Sequence, residues 1–179
     1  MESTVINRFW FEEIDPKQWW AKDDNLDKLI RQRFAHIHEK AGRCELHRWR
    51  RSSQGRLAEI IVLDQFSRNI YRGLPESFAN DALALALAQA AIENGADREL
   101  NASEKSFLYM PFMHSESLFI HEIAMELYAQ KGLEFNYDFE KQHKAIIERF
   151  GRYPHRNLIL GRESTPEELE YLKQPGSGF

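Results

Sequence analysis

Apolar residues recur along this chain at steps of three and four. From Asp24 to Gly42 they fall at Leu26, Leu29, Ile30, Phe34, Ile37 and Ala41, which draws one stripe along a helix. Asp24 suits the cap that starts such a helix and Gly42 the stop that ends it. The stretch from Ser53 to Tyr71 differs. Leu57, Ile60, Ile61, Val62, Leu63, Phe66 and Ile70 cover most of a helix circumference, the pattern of a helix buried nearly all round. Asp64, Gln65, Arg68, Asn69 and Arg72 are then polar exceptions on a buried element.

The remaining segments also read as helices. Asp81 to Glu93 alternates Leu and Ala, which imitates a strand. Both residues are strong helix formers, and strands favour β-branched ones, so a helix is predicted, capped by Asn80 and stopped by Gly95. Asn101 and Glu104 have capping-box spacing and open a short helix to Tyr109, with Pro111 expected to interrupt it. A helix from Ser115 to Lys131 should turn Leu118, Phe119, Ile120, Ile123, Leu127 and Tyr128 inward, with Gly132 as its stop. Asn136 to Phe150 carries Phe139, Ile146, Ile147 and Phe150 on one stripe, closed by Gly151. Thr165-Pro166-Glu167-Glu168 combines a cap, a proline at the first helical position and two first-turn acids. The tail 175–179 is expected to be loose. Short connections between helices favour antiparallel neighbours. The expected fold class is therefore all-α, a single domain of stacked helical hairpins over residues 1–179.

Composition adds limits. At 179 residues, with 42% hydrophobic and 29% charged residues, the chain can bury a core without staples. Cys44 is its one cysteine, so no internal disulfide forms. With no signal-like start, that points to the cytoplasm. No run of ~20 apolar residues offers a membrane span. The net charge is −4, yet residues 43–56 hold five arginines against one glutamate. Such a chain is a poor general nucleic-acid partner but can hold one specific anion; a solvated edge explains the stretch equally well. Trp10, Trp19, Trp20 and Trp49 all lie early in the chain and are expected to lock the first helices onto the rest.

Three segments carry candidate chemistry. In Leu63 to Gly73, Asp64, Arg68 and Arg72 are spaced by four and line one helix edge over ~12 Å. A stabilising ion-pair row is the plain alternative to a site. Pro111 to Glu116 is expected at the start of a helix, where free N–H groups favour an anion. There His114 and Glu116 could act as acid and base, or sit in a first-turn hydrogen-bond network capped by Ser115. His-x-Glu without a following cysteine pair excludes a zinc deaminase. Residues 149–162 hold four arginines and no lysine, the choice for a bidentate grip on carboxylate or phosphate, with a solvated basic loop as the alternative. His143 shares a stripe with Phe139, Ile147 and Phe150 and reads first as a hydrogen-bonded core residue. No Gly-rich phosphate loop, Gly-x-Ser-x-Gly or His-Glu-x-x-His occurs. His114 and His121, seven apart, lack a third ligand, so neither a metal nor a cofactor is indicated.

Taken together, Leu63-Asp64-Gln65-Phe66-Ser67-Arg68-Asn69 with Arg72-Gly73, the run Phe107 to Glu116, and the stretch from His143 through Arg149-Phe150-Gly151-Arg152-Tyr153-Pro154-His155-Arg156-Asn157 to Glu168 resemble a bacterial family known only as domain of unknown function nine hundred and twenty-four. The resemblance covers nearly the whole chain. It implies a helical fold similar to the right-handed tetratricopeptide-repeat superhelix, and no activity or catalytic residue. Ser67 stands where the resemblance leads one to expect proline, a departure expected to leave the helix more regular.

Three functional readings stay open at this point. The first is a binding module for a small anionic molecule or an acidic peptide end. Its ligand residues would be Asp64, Gln65, Arg68, Asn69, Arg72, His114, Glu116, His143, Arg149, Arg152, His155, Arg156 and Asn157, converging on one groove. The second is a hydrolase or transferase on a phosphorylated or carboxylated compound, with His114, Glu116 and His155 as catalytic candidates. The third is a scaffold whose polar motifs only tie helices together. The oligomeric state is not encoded in any pattern seen here.

Overall fold

A computed structural model describes residues 2–178; Phe179, the end of the expected loose tail, lies outside the described residues. The described chain is helical, without a strand. It divides into two compact units: one runs up to Arg72 and takes in Glu76–Pro111, the other comprises Gly73–Pro75 and the chain from Phe112 onward.

The first unit opens with a helix that no periodicity announces. Helix α1 (Ser3–Arg8) continues into a wider π-wound turn, Phe9–Glu13. A 3-10 turn, Pro16–Trp19, leads to α2 (Asp24–Gly42). The residue that caps α2 is Asp23, not Asp24: its carboxylate takes the N–H groups of Asn25 and Leu26. Gly42 is the last helical residue rather than the stop beyond it. After a 3-10 turn, His47–Arg51, the buried run forms α3 (Ser53–Ile61), a π-wound turn (Val62–Phe66) and α4 (Ser67–Ile70). The regular helix expected from Ser67 is therefore interrupted just before it. Ser67 donates to the Leu63 carbonyl at 2.5 Å and accepts from His38 at 2.7 Å. Serine holds two helices together at a place where proline could do neither.

Helix α5 spans Asp81–Glu93 as expected, with Gly95 in the left-handed region at φ 72°. Ala84, Ala88 and Ala91 form its buried face. Helix α6 (Ala102–Met113) starts with the reciprocal Asn101–Glu104 bonds of 3.0 and 2.9 Å. It runs through Pro111 instead of being interrupted there. Pro111 lies in the last turn, where its fixed φ still fits a helix and the cost is the single bond its missing N–H would have given the Phe107 carbonyl. The core of this unit is aromatic. Phe66 of one π turn meets Phe9 and Trp10 of the other at 6.1 and 5.7 Å between ring centres. Trp10 also lies edge-on to Phe107 at 5.5 Å, and Trp19 donates its indole N–H to the Trp10 carbonyl.

In the second unit α7 (Leu118–Tyr128) and α8 (Glu134–Phe150) pack together across a short connection. Helix α7 starts three residues later than expected, and Leu118 and Phe119 are exposed rather than inward. Its buried face is His121, Ala124 and Tyr128. The cause lies at Glu116. Its carboxylate is drawn to Arg162 and to the Tyr153 N–H, which pulls residues 114–116 off the helix axis. Helix α8 begins at Glu134, two residues before the expected start, and Gly151 ends it at φ 68°. A 3-10 turn (Pro154–Arg156) and α9 (Pro166–Tyr171), with the expected Thr165–Glu168 capping box, complete the unit. Ile146, Ile147 and Tyr153 form its apolar centre, flanked by Phe150 and Tyr171. Ser177 donates to the Leu172 carbonyl.

Candidate functional site

The first motif belongs to the first unit, where each of its polar side chains reaches a neighbouring helix or its own. The four-residue step from Asp64 to Arg68 forms the expected ion pair at 3.2 Å. Arg68 also grips Asp81 with two nitrogens, at 2.9 and 3.1 Å. Arg72 grips Asp27 in the same way, at 2.5 and 2.8 Å, and Asn69 donates to the same carboxylate at 2.8 Å. Gln65 donates to Asp64 at 2.6 Å. Asp27 of α2 and Asp81 of α5 thus each accept donors from the stretch 68–72. Neither acid carried a signal along the chain beyond its place in a first turn.

The second and third motifs meet in the second unit. Arg162 holds Glu116 bidentately at 2.6 and 2.9 Å and donates onward to the Tyr153 carbonyl and to Asn157. Burial pushes the Glu116 carboxyl upward, but the Arg162 guanidinium and the Tyr153 N–H outweigh it, and the group sits below its usual range. Arg152 holds Glu168 bidentately at 2.6 and 2.7 Å. That guanidinium, aided by the Thr165 N–H and Asn157, brings the Glu168 carboxyl down to about 2. Arg156 lies 4.6 Å from the Tyr153 ring centre and donates to the His114 carbonyl at 3.0 Å. Arg149 pairs with Glu167 on the exposed side. Asn157 is fully buried and donates to Ser164 and Glu168.

Histidines crowd one ring. Tyr153 has His121, His143 and His155 at 6.2, 5.8 and 5.5 Å between ring centres. His143 donates from Nδ1 to the Phe139 carbonyl, one turn back. Burial first, with the nearby His114, His121 and His155 adding to it, brings its imidazole down to about 3. His121 Nδ1 lies 2.6 Å from Glu140, and its Nε2 faces the Ser115 carbonyl at 2.8 Å. Both side chains are wholly enclosed, and burial pushes the Glu140 carboxyl upward. The Tyr153 hydroxyl donates to the Met113 carbonyl at 2.5 Å and lies 3.2 Å from His121 Nε2. Sequence reasoning passed over Glu140 altogether and considered His121 only for metal. The available hint was polar residues falling on the buried faces of α7 and α8. Among the described residues no group of three or more His, Cys, Asp or Glu could hold a metal. No helix among them is long and apolar enough to cross a membrane.

These features define an all-helical protein whose charged motifs are paired within each unit. The chain belongs to the family described as "Bacterial protein of unknown function (DUF924)", which matches residues 6–176. It is also similar to a solved structure of a protein of unknown function, ATU0120, from Agrobacterium tumefaciens. The two share 37% sequence identity over 96% of each chain, with a TM-score of 0.88. Among curated proteins none matches the chain.

Proposed function

We propose that this protein is a non-catalytic helical scaffold, and that its Arg, His and Asn motifs are clasps between helices. The observation that carries this reading is the occupancy of the arginines. Arg68, Arg72, Arg152 and Arg162 each hold a carboxylate with two nitrogens. An incoming anion would have to displace an aspartate or glutamate that would then lose its partner, and that exchange costs more than it returns. A catalytic reading needs a histidine on a carboxylate within reach of a substrate. The pair with that chemistry, His121 and Glu140, presents no surface to solvent. The repeat-like superhelix implied by the family resemblance would lend a scaffold a concave face, an argument by analogy of fold.

Two measurements test the proposal. Thermal unfolding against a panel of phosphates and carboxylates should show no stabilisation that Arg152→Ala or Arg156→Ala removes. A double-mutant cycle on Glu116→Gln and Arg162→Met should show a stability coupling of about 1–3 kcal/mol. A ligand-induced shift lost in Arg152→Ala would establish an anion site instead and overturn the scaffold reading.

A further inference from the structure

The basic stretch 43–56 belongs to none of the three motifs, and its arginines are of two kinds. Arg43 pairs with Glu39 and Glu45, and Arg50 holds Glu59 with two nitrogens, both at 2.7 Å. Arg48, Arg51 and Arg56 make no hydrogen bond, ion pair or ring contact among the described residues. Arg98 alone shares that state; every further arginine described holds a carboxylate or a carbonyl.

These unpaired arginines gather at one end of the first unit. The 3-10 turn His47–Arg51 and a second one, Ala96–Glu99, both pack on α3. Ser53, at the start of α3, donates to Glu99 at 2.6 Å. Side chains three apart in a 3-10 turn stand over one another, so Arg48 and Arg51 project from one side, about 6 Å apart along its axis. Both are exposed. The side of α3 that meets this turn carries Gly55 and Glu59, and Arg56 is the next position round, about 100° on. The acids of this end are already engaged: Glu45 by Arg43, Glu59 by Arg50, Glu99 by Ser53 and Asp97 by the Tyr109 hydroxyl. Asp97 and Glu99 offset Arg98, which leaves Arg48, Arg51 and Arg56 as the positive face.

The turn that presents Arg48 and Arg51 is held firmly. Leu46 is buried ahead of it, Arg50 is locked to the enclosed Glu59, and the Trp49 carbonyl lies against Gly55 with no room for a Cβ between them. A fixed mount lowers the ordering cost of binding. Trp49 is half-buried and stacks on no other described ring. The stretch also has no lysine. The weakly hydrated guanidinium is the better choice for ion pairs at interfaces. A merely solvated edge requires neither the mount nor the arginine.

We propose that this face docks an extended, acidic segment of a partner protein. Carboxylates two residues apart on an extended strand are about 7 Å apart, close to the step from Arg48 to Arg51. Trp49, between them in the chain, offers an apolar anchor, and tryptophan and arginine are the residues that dominate protein interfaces. A nucleic acid fits less well, because its phosphates would continue past the face onto a chain that is acidic elsewhere. The inference stands apart from the scaffold reading, since the motif arginines take no part.

The test is fluorescence anisotropy on the whole chain. The probe is a labelled ten-residue peptide in which glutamate alternates with serine and leucine. Its lysine counterpart and decathymidylate are the controls. The acidic peptide should bind at least about tenfold more tightly than either control, and weaken several-fold as salt rises from about 50 to 300 mM. Arg48→Gln combined with Arg51→Gln, both exposed side chains without partners, should leave the melting temperature unchanged and weaken the peptide at least about tenfold. Arg56→Gln should weaken it less, and Lys173→Gln, on the second unit, should not weaken it. Decathymidylate binding as tightly as the peptide would make this a nucleic-acid face and overturn the proposal. So would no binding up to about 1 mM peptide, or binding that the paired arginine substitutions leave intact.

Discussion

At the scale of single residues the enclosed His121–Glu140 pair is the most constrained chemistry in the chain. His121 Nε2 faces a carbonyl and must carry a hydrogen. One further proton then lies between Nδ1 and Glu140 Oε1, 2.6 Å apart. With the proton on nitrogen the pair is ionic; with it on oxygen both partners are neutral. Burial raises the Glu140 carboxyl, and its second oxygen, buried with no donor, would carry half of any negative charge unsolvated. Both facts favour the neutral form, in which a carboxylic acid donates to imidazole. Glu140→Gln keeps the shape and still offers Nδ1 a donor. It should therefore cost no more than about 1 kcal/mol, against about 3–5 kcal/mol for breaking a buried ion pair. Urea unfolding of wild type and Glu140→Gln distinguishes the two, and a loss in the larger range would show the pair to be charged.

At the scale of elements, close backbone approach decides what local propensity cannot. Gly55 lies in the first turns of α3, where alanine is normally better than glycine by about 1 kcal/mol. Here a Cβ would sit 2.0 Å from the Trp49 carbonyl oxygen and 2.8 Å from its carbon. The obstacle is backbone of the 3-10 turn before α3, which cannot swing aside as a side chain could. Overpacking costs of roughly 1–3 kcal/mol should outweigh the helical gain, and Gly55→Ala should lower the melting temperature by several degrees. A neutral or stabilised variant would mean that the turn is free to move. The sequence pattern is silent on this contact, as it is on most that cross between elements. Apolar stripes and end residues marked α2, α5 and α8 to within two residues, because period and caps are local. The π turn at Val62–Phe66 was hidden because apolar residues already cover most of the circumference of that stretch, so one inserted residue leaves no broken stripe to see. The candidate site divides in the same way. Asp64–Arg68 was readable as an i to i+4 pair, whereas Arg162–Glu116, 46 residues apart, follows only from where α7 and the 149–168 stretch come to lie.

At the scale of the whole molecule the two units carry separate reporters and unequal sensitivity to acid. All four tryptophans, Trp10, Trp19, Trp20 and Trp49, lie in the first unit, so their emission reports on that unit alone. The second unit holds His143, whose imidazole takes a proton only near pH 3 when folded, against about 6.5 when unfolded. Between those values the unfolded chain binds the extra proton, so stability falls as pH falls through that window. Glu168, held by Arg152 at about 2, adds a second loss of the same sign lower down. Its contribution is complete above the unfolded carboxylate range and disappears as pH drops towards 2. Buried His38 pushes the first unit in the same direction. Acid should therefore loosen residues 112–178 first, with a cost on the order of 2–4 kcal/mol between pH 7 and pH 4 from His143. Hydrogen exchange on peptides of the second unit should quicken at a higher pH than the one at which tryptophan emission shifts to the red. His143→Gln, which keeps a donor for the Phe139 carbonyl but does not titrate, should flatten the upper part of the stability-against-pH curve. Coincident transitions in both reporters, or an unchanged slope in His143→Gln, would show that the acid response belongs to the molecule as one cooperative whole.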